Sequence, residues 1–240
     1  MKWQAGITTV PSRKKDLLPR TIASLKAGGF TNMRLFVDGD NTPHEWEDEY
    51  GLPTTCRDPA LRTAGNWVMS LYELWVRDTG ADLYAIFQDD CVCSLNLKPY
   101  LDALAHKRYP GNGLYKEYWN LYTFPQNQNL APKSAAGGTE YGFFRANQLG
   151  KGAVGLVLPT DAVLDLLGDR SFVERHRDPA RGHKSIDGGI VTCLKKHGWT
   201  ELCHHPSLLQ HTGEQSSMGN AKHRLAENFK GEDFDLLTLL

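Results

Sequence analysis

Nowhere in the chain do 18 or more apolar residues follow one another, which excludes an ordinary membrane-spanning helix. Nor does charge of one sign dominate: Lys+Arg 27 stand against Asp+Glu 28, a formal charge of −1 over 240 residues. The total therefore demands no polyanionic partner, although it leaves room for a local basic face. Cysteine is scarce and odd in number, at Cys56, Cys91, Cys93, Cys193 and Cys203. That disfavours a disulfide framework and makes a reducing cytosol the simpler expectation. Met1-Lys2-Trp3-Gln4 leads straight into a strand pattern rather than a signal peptide, so a cytoplasmic location is expected. Cys203-His204-His205 invites a zinc reading, but the ligand spacings of structural zinc sites are missing around it. There is no internal repeat, low-complexity tract or convincing linker.

What is present alternates strand and helix. Ala5–Val10 is β-rich and stops at Pro11-Ser12-Arg13, and Asp16–Ala27 carries Leu17, Leu18, Ile22 and Leu25 at helical spacing before Gly28-Gly29. Met33–Val37 reads as a second strand ending at Asp38, and Glu45–Gly51 as polar surface. Thr63–Thr79 is an amphipathic helix through Trp67, Leu71, Leu74 and Trp75; Tyr84–Phe87 is a buried strand; and a further helix spans about Leu97–Lys107. Tyr118–Phe124 alternates as a strand, and Pro125–Gly138 is a long loop. Gly152–Pro159 is a buried strand, with Thr160 capping a helix over Asp161–Leu167. Phe172–Lys184 is a basic connection, Ser185–His197 a helix, and Ser207–His211 a last short strand. The expectation is an α/β domain around a mainly parallel sheet flanked by helices, over residues 1–217, with 218–240 a tail that packs back or frays.

The most informative segment is Tyr84-Ala85-Ile86-Phe87-Gln88-Asp89-Asp90, an apolar strand ending in two adjacent carboxylates. Adjacent acids at a strand end repel each other, and a divalent cation holding a diphosphate is a natural compensator; a solvated turn is the plain alternative. Around it stand Thr8-Thr9-Val10-Pro11-Ser12-Arg13 after the first strand, Asp38 after the second, and Arg62, Gly65 and Asn66 before the central helix. Near the end lies Pro206-Ser207-Leu208-Leu209-Gln210-His211-Thr212-Gly213-Glu214-Gln215-Ser216-Ser217. In this order the pieces resemble a GT-A glycosyltransferase, a Rossmann-like single-domain fold that binds a nucleotide-sugar beside a metal. The closing segment is similar to that of N-acetylglucosaminyltransferase IV-type enzymes. Gln88 departs from the pattern, replacing the first acid that many relatives carry.

The resemblance implies a role for each residue. Asp90 is the expected metal ligand and His211 the second, a carboxylate and imidazole pair that suits Mn²⁺ better than Mg²⁺. Asp89 is expected at the ribose hydroxyls, because neighbouring strand residues point to opposite sides. Ser216 and Ser217 would hold the β-phosphate, Asp38 would accept from a uracil ring, Pro11 and Arg13 would flank the base, and Thr9 belongs to the same donor-binding set. Arg62 and Asn66 complete the expected donor set, with Gly152 beside the sugar. Asp38 is equally placed for a turn or helix cap, and Arg62 for a surface ion pair. Asp187, in Ser185-Ile186-Asp187-Gly188-Gly189, would be the catalytic base of an inverting transfer, although capping also places acids at helix starts.

The expected donor is a uridine diphosphate sugar. The stretch from Arg170 to Lys184 gives a basic lip through Arg175, Arg177, Arg181 and Lys184, suited to a phosphate-bearing acceptor or, more plainly, a solvated charged loop. A small enzyme without an anchor also resembles stand-alone viral-type transferases that glucosylate hydroxymethylated DNA bases. DNA is thus the leading expected acceptor, and a bacterial glycan or small molecule the second. A nucleotidyltransferase and a non-catalytic binding module are the readings from other classes.

Overall fold

The computed structural model describes residues 1–108, 116–133, 135, 139–177, 186–213 and 225–240. In chain order the elements are β1 (Trp3–Thr9), α1 (Leu17–Ala27), β2 (Met33–Asp38), α2 (Pro43–Tyr50), β3 (Thr54–Arg57) and α3 (Arg62–Arg77). Then come β4 (Leu83–Gln88), β5 (Cys91–Cys93), α4 (Leu97–Arg108), β6 (Glu117–Asn120), α5 (Pro125–Gln128) and β7 (Gly142–Arg145). The chain continues through β8 (Gly155–Pro159), α6 (Thr160–Gly168), α7 (Arg170–Val173), α8 (Asp187–Lys196), β9 (Thr200–His205) and β10 (Leu209–His211). An eight-stranded sheet runs β3-β2-β1-β4-β8-β6-β9-β7, and β10 pairs separately with β5. β3, β2, β1 and β4 are mutually parallel, β8 runs against β4 and β6, β6 and β9 are parallel, and β7 closes the edge antiparallel.

Side-chain alternation along the central strands builds two cores. Leu83, Ala85 and Phe87 of β4 face one cluster with Leu18, Leu25, Trp46 and Leu101; Tyr84 and Ile86 face the other, with Trp67, Leu71, Val163 and Leu194. This period of two, with helices on both faces, gives the three-layer α/β arrangement expected for buried, largely parallel strands. Among the described residues no helix is long and apolar enough to cross a membrane.

Several local expectations are corrected. Glu45–Tyr50 belongs to α2, with Gly51 capping its end, because Trp46 is fully buried and donates its indole N–H to Asp40 Oδ2 at 3.2 Å, while Pro43 opens the helix. Thr160 does not cap α6; its hydroxyl donates to the Ala81 carbonyl at 2.6 Å. The strand expected through Phe124 stops at Asn120, and the Pro125 loop contains α5. The strand expected from Gly152 starts at Gly155, because Gly152 has φ +77°. β3, β7 and β9 were not anticipated: each is short or carries polar side chains on a buried face, such as Glu201. The described end of the tail docks beside β5 and α4: Leu236 is fully buried and Asn96 Nδ2 donates to Asp235 Oδ1 at 2.9 Å. The expected boundary at 217/218 lies outside the described residues.

Candidate active site

The two acids sit where β4 leaves the sheet, and helix α1 fixes the backbone that carries them. Thr21 Oγ1 donates toward the carbonyls of Asp89 (2.9 Å) and Cys91 (2.8 Å), and Ser24 Oγ accepts from Cys93 N–H at 2.8 Å. These hydroxyls, three residues apart, share the buried face of α1 with Leu18, Ile22 and Leu25. Sequence reading passed over both; their signal was polar side chains on an otherwise apolar helix face.

Asp89 is buried and turns toward β1, where Thr9 Oγ1 donates to its Oδ2 at 2.6 Å. Burial, then the neighbouring Asp90 charge, pushes its carboxyl up; the Thr9 hydroxyl and the Arg13 cation oppose that shift. The structure therefore brings Thr9, Arg13 and Asp89 together. Pro11 begins an exposed turn of 3-10 helix beside them. Gln88 is a scaffold residue, donating Nε2 to the Ala153 carbonyl at 3.1 Å.

Asp90, the second residue of the two-residue turn between β4 and β5, turns the other way, toward β10. The β5–β10 ladder sets His211 opposite Cys91, and this places His211 Nε2 3.4 Å from Asp90 Oδ2. Asp90 Oδ1 is buried and has no hydrogen-bond partner among the described residues. At Gly213 a Cβ would stand 3.1 Å from both Asp90 Oδ2 and His211 Cε1, so this turn has little room for a side chain. A buried carboxylate oxygen left unpaired beside an imidazole is a donor set that fits Mn²⁺. The Gly213 N–H lies 3.2 Å from His211 Nδ1 and donates to it, which leaves the ring proton on Nε2. Ligation through Nε2 would move that proton to Nδ1 and open the Gly213 contact.

Asp187 opens α8, and its Oδ2 accepts from the amides of Gly152 (3.0 Å) and Ala153 (3.1 Å). It thus ties the helix to the loop that precedes β8. Burial raises its carboxyl above the ordinary range, opposed by the Ala153 and Gly152 amides. Gly152 lies flat on Tyr122, where a Cβ would be 2.6 Å from the ring, and Tyr122 meets the His211 ring edge-on at 6.4 Å. A continuous path of contacts therefore joins Asp187, Gly152, Tyr122, His211 and Asp90.

Behind Asp187 lies a polar group that sequence reading missed. Glu201 is 2% exposed, accepts from Asn120 Nδ2 at 2.9 Å, and is pushed up to about 7 by burial and by the Asp187 charge. The Tyr118 hydroxyl beside it is buried and has no hydrogen-bond partner among the described residues. Alternation along β9 hid Glu201, since Leu202 and the following residues did not advertise a strand.

Two expected donor residues also hold the scaffold. Asp38 accepts from the Leu61 amide on Oδ1 and the Arg62 amide on Oδ2, both at 2.7 Å, at the start of α3. Asn66 is buried between the Phe36 carbonyl (3.1 Å) and Arg57 Nη1 (2.8 Å). Arg62 is exposed and holds φ +62°, a left-handed conformation costly for a residue other than glycine and retained here by the contact of its amide with Asp38.

Of the expected acceptor residues, Arg175 crosses Gly189 so closely that a Cβ there would stand 2.7 Å from Arg175 Cδ. Arg177 pairs with Glu174 at 3.5 Å on the surface. Arg181, Lys184, Ser216 and Ser217 lie outside the described residues. The zinc reading at residues 203–205 is closed by His204: Nε2 meets Tyr100 Oη at 2.7 Å and Nδ1 meets the Pro206 carbonyl at 2.6 Å.

No family model matches the chain, and no curated protein matches it. Among solved structures it is similar to GalNAc-T7 with UDP, GalNAc and Mn²⁺, at TM-score 0.54 and 12% identity over 85% of this chain. The chain spans 42% of that structure's length. It also aligns with mannose-1-phosphate geranyltransferase from Thermus thermophilus at TM-score 0.47 and 15% identity, covering 85% of this chain and 74% of that one. A putative glucose-1-phosphate thymidylyltransferase from Bacillus anthracis, in complex with a sucrose, aligns at TM-score 0.45 and 13% identity, covering 87% and 89%. At such identities the likeness to the GalNAc-T7 structure is one of fold, the Rossmann-like GT-A type.

Proposed function

We propose that this chain is a divalent-metal-dependent transferase that moves a sugar from a nucleoside diphosphate donor to an acceptor hydroxyl with inversion. The observation that carries the reading is Asp90 meeting His211 across the β5–β10 ladder, with one carboxylate oxygen buried and unpaired. Asp90 and His211 would hold the cation; when bound, it supplies positive charge to the departing diphosphate. Thr9, Arg13 and Asp89 form the nucleoside end of the site, with Asp89 taking the ribose hydroxyls and a uridine base lying over Pro11 toward Asp38. The likeness in fold to a UDP-bound structure supports uridine as the base.

Asp187 takes the acceptor proton. Its carboxyl is raised by burial, which brings its basicity nearer to that of the hydroxyl it serves, and the Gly152 and Ala153 amides hold it in place. The same two residues lie next to Val154 and Gln88, so the base is anchored to the strand end that carries the acids. Arg175 and Arg177 begin the acceptor lip, and a hydroxymethyl-pyrimidine in DNA is the acceptor that a basic lip suits best.

The decisive assay offers a panel of nucleoside diphosphate sugars with Mn²⁺ or with chelator, with and without hydroxymethylated duplex DNA. Metal-dependent release of nucleoside diphosphate, with inverted product stereochemistry by NMR, is the expected result. Release of pyrophosphate instead would identify a nucleotidyltransferase, and full turnover in chelator would remove the metal from the mechanism. Transfer to a neutral glycan with none to DNA would keep the chemistry and replace the acceptor.

A further inference from the structure

The opposite end of α8 carries a second group of donor atoms, remote in role from the acids of β4. Cys193 and His197 lie four residues apart and so share one face of the helix end, and Asp169 reaches them from the junction of α6 and α7. One ligand atom from each lies within 4.8 Å of the others. His197 Nε2 is 3.5 Å from Asp169 Oδ2, and tetrahedral zinc places its nitrogen, oxygen and sulfur donors roughly 3.3 to 3.8 Å apart.

A carboxylate stands behind the other ring nitrogen. His197 Nδ1 faces Asp165 Oδ1 at 3.4 Å, and Asp165 is itself held by the Trp199 indole N–H at 2.7 Å on Oδ2. A carboxylate on that side favours the ring proton on Nδ1 and the lone pair on Nε2, the arrangement found behind metal-ligating histidines. Nε2 is buried and has no hydrogen-bond partner among the described residues. In the neutral ring its lone pair points at a carboxylate oxygen, which is repulsive unless a cation lies between them. The carbonyls at the end of α8 add to the local preference for positive charge.

From this geometry we infer that Asp169 Oδ2, Cys193 Sγ and His197 Nε2 form a zinc site, with a water from the adjoining cleft as fourth ligand. That cleft, about 500 Å³, is lined by Asp169, Ser171, Glu174, Lys196 and His197 and opens the position to solvent. Cys193 is buried, and burial pushes its thiol up to about 12 in the absence of metal. Zinc binding must therefore expel that proton to solvent as the Zn–S bond forms. Lys196 Nζ, 2.8 Å from Asp169 Oδ2, is the competing cation; its side chain is 67% exposed and can swing away. Asp169 Oδ1 keeps its bonds to Ser171 and Phe172 throughout.

The test uses the full chain carrying Asp90→Ala, so that the proposed catalytic metal site cannot contribute and failure of that reading leaves this one intact. Chelator-stripped protein is titrated with Zn²⁺ by calorimetry in two buffers of different ionisation heat, and with Co²⁺ by absorption. Expected are one zinc per chain, proton release, and a thiolate-to-cobalt charge-transfer band. Cys193→Ser should abolish that band, and Asp165→Asn should weaken zinc roughly 10- to 100-fold, as loss of a supporting partner does. Lys196→Ala should tighten binding, a change that a merely structural cluster would not show. Absence of zinc binding, a cobalt spectrum without the thiolate band, or an NMR titration showing His197 as an imidazolium between Asp165 and Asp169 that zinc leaves unchanged would overturn the site.

Discussion

The two halves of the sheet treat buried polar groups differently. Around β3-β2-β1-β4, Asp38 closes on two amides, Asn66 on a carbonyl and an arginine, and Thr21 and Ser24 on strand backbone; the raised carboxyl of Asp89, at the end of β4, is the exception. Around β8-β6-β9, Glu201 and Asp187 are buried as neighbouring carboxyls, both raised, and the Tyr118 hydroxyl stays without a hydrogen bond among the described residues. Buried polar groups that are fully paired stabilise and position; buried charges that are only partly paired are costly. Such charges are often kept where chemistry needs a perturbed acid or base. On the proposed function the first half would serve as the donor platform and the second as the reacting side, with Asp90 and His211 on the seam.

The largest effects should come from that seam. Asp90→Ala should lower turnover by roughly 10³-fold, the upper range for losing one electrostatic stabiliser, while thermal stability holds or rises because a buried carboxylate with one oxygen left without a hydrogen bond is removed. His211→Ala should weaken Mn²⁺ by at least roughly 10-fold and shift the metal preference toward Mg²⁺, read by metal titration of activity. Normal activity in either variant would detach the seam from catalysis. Next, Asp187→Asn should lower kcat by a factor of about 10² to 10⁴ with donor binding intact. The Asn carbonyl still accepts from Gly152 and Ala153, so the melting temperature should barely move. Near-normal turnover would return Asp187 to the part of a loop anchor.

The donor half was also the more legible in sequence. β1, α1, β2, α3 and β4 announce themselves through continuous apolar runs and helical spacing, and Gln88-Asp89-Asp90 follows directly from the strand it ends. The short strand ending at His211 was read from the sequence, but the ligand role of His211 came only by resemblance, since its approach to Asp90 depends on pairing with β5, three residues that carry too little pattern to be read locally. Glu201 and the zinc cluster were invisible for a related reason. Glu201 interrupts the apolar alternation of β9, and Asp169 meets Cys193 and His197 only through the packing of α6 and α7 on α8. Sequence patterning reports burial along one element, whereas these sites are built between elements.

Glu201 offers a sharper test of the contrast between halves. Its carboxyl sits at about 7 in the folded chain against an ordinary 4.5, so between those values the folded state binds more protons than the unfolded one. Stability from this group is therefore present below pH 4.5, is lost as pH rises toward 7, and stays low above it. The gap corresponds to about 3 kcal/mol. Glu201→Gln keeps an acceptor for Asn120 and removes the charge beside Asp187, Tyr118 and Cys203. It should stabilise the protein toward urea at alkaline pH by up to that amount and change little at acid pH. Parallel stability profiles for variant and parent would mean that Glu201 is paired in a way the described residues do not show.

The smallest effect separates two arginines of the proposed acceptor lip. Arg175 lies across Gly189, two residues from Asp187, so its replacement changes the packing on α8 as well as the local charge. Arg177 is 73% exposed and its partner Glu174 also pairs with Arg170, so losing Arg177 should change stability by less than about 0.5 kcal/mol. Any functional consequence of Arg177→Gln must then come from the acceptor. If that residue neutralises one phosphate of duplex DNA, the dependence of log affinity on log salt should flatten by about 0.9. Donor affinity and kcat at saturating acceptor should stay as in the parent. An unchanged salt slope with an unchanged acceptor KM would show that Glu174 keeps Arg177 occupied, and would confine phosphate recognition to Arg175 and to residues beyond 177.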